Sequence, residues 1–260
     1  NIGVRYDQID TDFINKRSAA ADFDSSHDQW SPRLGLSYTV SPALSLFGNY
    51  SQGIRSVNLA RPAFKLTGNV TPETEESMEV GLRGLFNGVL EYNLAVFQIN
   101  TKDKIIQKER YLYENAGEAE SKGIEISLTR SLPYDLYASC EYTHINAEFT
   151  DFTTSATTPD EAISYNGKQV PLVPENIFGV TLGWKTPQYG HLSASLRYVD
   201  EKFLNIANTL TLDAYTVADI KYIYSMSNVF SAEDTMELSF AVNNLFDEAY
   251  SEYGEGSGGL

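Results

Sequence analysis

The chain has one cysteine, three histidines, and 19 lysines and arginines against 35 aspartates and glutamates, and its apolar runs are only a few residues long. Each shortage excludes a class of protein. Cys140 has no partner for an internal disulfide and lies in no CxxC pattern, so neither a disulfide framework nor a thiolate zinc site is available. His27, His144 and His191 have no serine or cysteine partner at a recognisable spacing. His144 and Glu141, three apart on an alternating segment, fall on opposite faces and cannot act as an acid–base pair. A formal charge of −16 without any lysine or arginine cluster excludes the counterion-releasing surface of a nucleic-acid binder. Short apolar runs exclude a transmembrane helix, which needs about 20 such residues, but leave room for tilted strands of about 10. The acidic stretch with Asp22, Asp24 and Asp28 lacks glycine at the sixth calcium-loop position and has Arg33 at the twelfth, so it reads as a solvated loop. No catalytic residue, metal site or cofactor is expected.

What the chain has in quantity is tyrosine and phenylalanine, 17 and 13, and a period of two. Apolar residues recur at every second position in eleven segments. They run from Ile2, Val4 and Tyr6, through Leu34 to Val40 and Leu44 to Tyr50, to Met236, Leu238, Phe240 and Val242. These positions carry no charge, whereas the intervening ones hold Glu79, Arg83, Glu91, Glu125, Glu141, Lys185, Arg197, Asp219, Lys221 and Glu237. Two-faced strands, and an all-β chain, follow. Phe97 and Ile99 place bulk on the charged face, which predicts a bulge after Val96.

The connections fall into two kinds. Turn chemistry marks Ser41-Pro42, Asn87-Gly88, Ser131-Leu132-Pro133 and Thr186 to Gly190, with a somewhat longer link from Ser227 to Asp234. Long polar connections are expected at about 11–29, 55–72, 100–118, 147–170 and 200–213. Alternation alone fits a soluble sandwich and a membrane barrel equally. Short turns on one rim and long loops on the other belong to an outer-membrane barrel, whose apolar face meets lipid and whose polar face meets the lumen. A charge in the middle of that lipid face costs roughly 2 to 4 kcal/mol, which accounts for its absence. Tyr50, Tyr142, Trp184, Tyr198 and Tyr224 are placed for an interfacial girdle. An odd strand count does not close an antiparallel barrel, so further strands are expected outside this sequence. Residues 1–260 are read as one partial barrel domain.

Five stretches then carry a resemblance. WSPRLGLSYTVSPALSLFGNYSQGIRSVNL (30–59), TPETEESMEVGLRG (71–84), NAGEAESKGIEISL (115–128), NGKQVPLVPENIFGVTLGW (166–184) and VNNLFDEAYSEYG (242–254) resemble, in order, the carboxy-terminal half of TonB-dependent outer-membrane receptors. The resemblance implies a transmembrane barrel of about 22 strands plugged by a globular domain, with the plug, the earlier strands and the last strand absent here. It implies energised uptake of a scarce nutrient from the surface of a Gram-negative bacterium, with the TonB complex as partner through the plug. Ile54, Ser56-Val57 and Glu175-Asn176 depart from the family's usual residues, which weakens any transfer of ligand preference. Residues 56–72 lack the histidine expected of a haem receptor, leaving a ferric siderophore as the cargo favoured, with cobalamin or a carbohydrate open.

Cargo contacts are expected from aromatic and cationic residues at the mouth. These are Arg55, Arg61, Arg110, Tyr111, Tyr113, Tyr165, Phe203, Tyr250 and Tyr253. A passive porin, with Arg197, Lys221 and Glu141 setting selectivity, is the alternative of another class. A soluble β-sandwich binding module is the third.

Overall fold

The computed structural model describes residues 1–13, 23–55, 65–66, 71–109, 112–115, 117–153, 162–227 and 234–254. In chain order its strands are β1 (Ile2–Phe13), β2 (Phe23–Ser41), β3 (Leu44–Arg55), the two-residue β4 (Lys65–Leu66), β5 (Glu73–Phe86) and β6 (Leu90–Lys102). There follow the short β7 (Ile105–Glu109) and β8 (Leu112–Asn115), then β9 (Glu118–Ser131), β10 (Leu136–Asp151), β11 (Asn176–Thr186) and β12 (Gly190–Val199). The last are β13 (Lys202–Phe203), β14 (Thr211–Leu212), β15 (Tyr215–Ser227) and β16 (Thr235–Val242). Eleven of these form one sheet in the order β1-β2-β3-β5-β6-β9-β10-β11-β12-β15-β16, each neighbour antiparallel to the next. They are the eleven segments that the alternation marks. The sheet is open, with β1 and β16 at its edges.

Turn chemistry fixes the short rim. Asn87 and Gly88 both take positive φ, 51° and 71°, the two-residue geometry that matches strand twist between β5 and β6. Gly190 takes φ 82° where Thr186 Oγ1 accepts the Tyr189 N–H at 2.8 Å, closing β11 onto β12. Between β9 and β10 the tight turn lies one step beyond Ser131-Leu132-Pro133. Tyr134 and Asp135 adopt φ 64° and 61°, and the Leu132 N–H donates to the Leu136 carbonyl at 2.8 Å. The prolyl ring fixes its own φ near −65° and so cannot enter the left-handed region that this turn needs.

Two expectations are corrected. The first long connection is not a loop from 11 to 29, because β1 and β2 stay paired up to Phe13 and Phe23. Likewise β3 reaches Arg55, β10 reaches Asp151, and small strands occupy parts of the other long connections. Polar sequence continues the ladder there, since backbone pairing does not need apolar side chains. The bulge after Val96 is also absent. The registers of β6 with β5 and with β9 run unbroken from Leu90 to Lys102. Phe97 fits because its cross-strand partner is Gly123, and Ile99 because its partners are Ser77 and Ser121. Register shifts occur instead at Thr39/Ser41 and Phe149/Asp151.

No second sheet covers the apolar face among the described residues. Val4, Leu36, Tyr38, Val80, Val96, Leu182 and Phe240 are all more than half exposed. A sandwich would bury this row, so the soluble reading fails on packing. The buried clusters are small and lie on the opposite face toward the long-loop rim. One is Ala119, Phe149, Phe152 and Tyr165; the other is Val199, Tyr215 and Val217.

Candidate functional site

The outer face has two zones. Within the band, alternate residues of every wall strand are apolar, and aromatic side chains mark both borders. Tyr6 lies 4.8 Å from Trp30 ring to ring at the upper border, where Tyr50, Tyr142 and Tyr198 also lie. Trp184 stacks on Tyr189 at 5.8 Å, and the Tyr222 hydroxyl donates to the Tyr189 carbonyl at 2.7 Å, at the border with the short turns. Tyr224 lies at that same border. From Trp30 to Tyr38 a strand advances roughly 26 Å, or roughly 20 Å of height at a tilt of about 40°. The bounding rings extend this toward the apolar band of about 25 Å that outer-membrane barrels present to lipid.

Above the upper border the same face turns polar on nearly every strand. Asp10 and Ser26 share a hydrogen bond of 2.7 Å, Gln98 donates to Glu120 at 2.7 Å, and Lys122 pairs with Glu120 at 2.7 Å. Asn176 Oδ1 accepts from the Tyr142 hydroxyl at 2.8 Å and lies 3.1 Å from His144 Nδ1, while its amide nitrogen donates to Asp200 at 2.8 Å. That amide, aided by the Tyr198 hydroxyl and the Glu201 N–H, holds the Asp200 carboxyl below the usual carboxylate range against the opposing effect of burial. A common height at which apolar gives way to polar on adjacent strands is the mark of two solvents, hydrocarbon below and water above.

The inner face carries the charges. The Asn49 amide donates to Glu79 at 2.9 Å, and the Arg83 guanidinium sits 5.5 Å over the Phe47 ring. Three aromatic rings of this face lie over glycines directly across the ladder: Phe47 over Gly81, Phe97 over Gly123 and Tyr137 over Gly183. A Cβ at any of these glycines would strike the ring, so the pairs lock inward-facing aromatics flat against the wall. Tyr137 then reaches His191 Nε2 at 2.8 Å.

Of the nine residues expected at the mouth, Arg61, Arg110 and Tyr111 lie outside the described residues. Tyr113 is on β8, opposite Gln107 and beside Leu66 of β4. Arg55 ends β3 and pairs with Glu73 at 3.5 Å; Glu73, only 6% exposed, also accepts the Ile105 N–H at 2.6 Å and so ties the connection after β6 to the wall. Tyr165 is 4% exposed, stacked on Phe152 at 5.2 Å, where it packs rather than faces the mouth. Phe203 is half-buried opposite Thr211. Tyr250 stacks on the buried Tyr215 at 4.3 Å, and Tyr253 is 65% exposed. The six described residues therefore lie along one rim and do not form one cluster.

What the sequence reading missed lies next to Arg55. A groove of about 560 Å³ opens on the inner face across β1, β2, β3 and β5, lined by Arg5, Ser31, Arg33, Gly53, Arg55 and Glu75 among others. Arg5 faces Ser31 across one ladder and Arg33 faces Ser51 across the next. All four share the parity of the charged face, a signal present in the sequence, but their proximity depends on register.

Comparison with known proteins agrees with this geometry. The family model described as TonB dependent receptor-like, beta-barrel matches residues 1–245. A probable TonB-dependent siderophore receptor, PiuA of Acinetobacter baumannii, is 24% identical over 96% of the chain and 35% of its own length. The metal-pseudopaline receptor CntO of Pseudomonas aeruginosa is 28% identical over the same share of each. The crystal structure of the siderophore receptor PiuA superposes with a TM-score of 0.74 at 22% identity, covering 98% of this chain and 38% of that one. The chain thus spans about a third of the length of the curated relatives it matches.

Proposed function

The chain belongs to the TonB-dependent receptor family, in its β-barrel domain, and from that membership we propose that it supplies wall and mouth to an energised importer of metal chelates, a ferric siderophore foremost. It is an outer-membrane protein of the Gram-negative type, and it is not an enzyme. In this reading the whole protein adds the remaining strands and a plug, cargo binds at the rim of long connections, and the TonB complex acts on the plug. The observation that carries the reading is the two-zoned outer face: an uncovered apolar band under a polar extension suits a wall standing in lipid and rising above it. Three relatives named as receptors for a siderophore, ferrioxamine or metal-pseudopaline support the cargo class.

The test is uptake of radiolabelled iron, offered as several ferric siderophores, alongside cobalamin and haem, in iron-starved cells with and without the full-length gene. Uptake of at least one iron chelate must depend on the gene and collapse when TonB is deleted. Dependence on the gene without dependence on TonB gives the passive channel instead. Dependence for cobalamin or haem alone retains the receptor and overturns the siderophore.

A further inference from the structure

The connection after β12 is folded onto the one after β10. In the turn Asn205-Ile206-Ala207-Asn208, the Asn205 side chain accepts the N–H groups of Thr209 and Leu210 at 2.9 and 3.1 Å and donates to Thr209 Oγ1 at 2.7 Å. The turn is thus held by its own residues. Asn208, with a left-handed φ of 56°, then meets the neighbouring connection as a peptide group would. Its Oδ1 accepts the Gln169 N–H at 2.7 Å, and its Nδ2 donates to the Gln169 carbonyl at 2.9 Å. Between the two asparagines, Ile206 and Ala207 pack against the cluster of Ala119, Phe149, Phe152 and Tyr165, whose members are 1 to 5% exposed. Nearby, the Leu172 N–H donates to the Phe203 carbonyl at 2.8 Å. The stretch that receives the turn has its own footing on β10. Phe149 exchanges backbone bonds with Gly167 and Lys168 at 2.8 and 2.9 Å, and the Val170 N–H donates to the Ala147 carbonyl at 2.9 Å. Backbone groups satisfied across a filled apolar seam join two segments as the strands of a sheet are joined. The seam lies between β9 and β12, inside both free edges of the sheet.

We propose that these two connections form one fixed lip of the mouth, clasped by Asn208, and that the lip does not part while cargo is taken up. Its part in uptake rests on the receptor reading above; the clasp itself does not. Opening the seam would take both hydrogen bonds from the Gln169 backbone and expose the rings of Phe149, Phe152 and Tyr165 to water, so the closed arrangement is favoured with or without cargo. This sector of the rim therefore meets cargo with a fixed shape and is not a lid that folds over it.

Hydrogen exchange of the full-length protein in detergent, read by mass spectrometry, tests the clasp without any cargo. Asn208→Gly keeps the left-handed turn, which glycine adopts freely, and removes the clasp. Ile206→Ala thins the seam and leaves the clasp in place. In each variant, peptides from 162–172 and from 203–210 are expected to exchange about tenfold faster, and together, while the wall peptides of β11 and β12 stay unchanged. Faster exchange in 203–210 alone, in neither stretch, or throughout the wall overturns the lip. Uptake is tested with Lys168→Cys and Leu210→Cys combined in a Cys140→Ser receptor, the two exposed positions being bridged on cells by a flexible bismaleimide. Gene-dependent uptake of radiolabelled iron, offered as the same ferric siderophores, should match that of the singly substituted receptors given the same reagent. Loss of uptake in the bridged receptor alone means that the connections must part, and it overturns the lip. Failure of the two thiols to be bridged, when each alone takes a monofunctional maleimide, does the same. If no iron chelate depends on the gene, the receptor reading fails, and the exchange result still decides the clasp.

Discussion

Leu182 provides a direct test of which solvent the apolar face meets. It sits in mid-band on β11 and is 59% exposed because its cross-strand neighbours on the same face are Ala138 and Ala194. Thr181 is the adjacent residue, opposite Ser139 and Ser195 on the inner face. Arginine at each position gives two variants of nearly identical composition whose side chains point into different media. On a water-exposed sheet, Leu182→Arg would change stability by no more than about 0.5 kcal/mol, as surface substitutions do. Near the middle of a bilayer the same change costs roughly 2 to 4 kcal/mol, or roughly 30- to 700-fold in the folding equilibrium. Thr181→Arg, facing an aqueous lumen, should stay within about 0.5 kcal/mol of wild type. The depth dependence adds a second condition, because Phe178→Arg at the upper border should cost only about 0 to 1 kcal/mol.

The assay is reversible refolding of the full-length protein from urea into lipid vesicles, followed by tryptophan fluorescence and by the gel mobility of the unheated sample. Leu182→Phe serves as the control for shape and should be nearly neutral in lipid. The order expected is Leu182→Arg far below Phe178→Arg, with Thr181→Arg near wild type. An arginine at 182 that refolds with wild-type stability, or one at 181 that costs as much as at 182, would refute the assignment of faces.

Two further outcomes follow from the inner face and the rim. Gly183→Ala places a Cβ inside the Tyr137 ring, so the ring must swing and release His191. The same refolding assay should register a loss of about 1 to 3 kcal/mol, typical of overpacking, whereas Gly48→Ala, whose nearest neighbours would lie at 3.6 and 3.8 Å, should be almost silent. Asp200 sets a pH dependence. Its carboxyl lies below the ordinary 3.8 in the folded protein, so its stabilising effect is complete above that value and is lost as pH falls through the lowered one. The thermal midpoint of the full-length protein should therefore fall between pH 5 and pH 3 by more in the wild type than in Asp200→Asn. Identical pH profiles would remove Asp200 from the account.

The eleven wall strands and the facing of their residues were legible in the sequence because a strand exposes alternate residues to opposite media, and parity needs no knowledge of pairing. Short turns were almost as legible, since Asn87-Gly88 and Gly190 name their own backbone conformations. The groove was not. Arg5 and Ser31 meet only because β1 and β2 pair in a register that places Gly3 opposite Arg33, and alternation alone does not give that register. The nine mouth residues were chosen by side-chain type and position in polar stretches. That criterion finds Arg55, which the structure places at the groove, but it cannot separate an accessible aromatic from Tyr165, which packs on Phe149 and Phe152.

The misjudged connections have a common physical origin. In a water-soluble sheet, a drop in hydropathy at the end of an alternating run usually means that the strand has ended, and the polar stretches after Tyr6, Val96 and Tyr142 look like loops for that reason. In a wall standing through a bilayer the drop marks a change of solvent instead. The ladder continues through it, because backbone N–H and carbonyl groups gain from pairing in water as well as in lipid, and β10 runs on from Tyr142 to Asp151 without apolar residues on its outer face. The polar extension is therefore evidence for the membrane rather than against strand structure. Arg5, Ser31, Arg33 and Arg55 are likewise carried on paired strands and not on free loops. A rim built in this way keeps its register set by the wall beneath it, so a one-residue slip in the lipid-facing rows would turn these arginines outward as well.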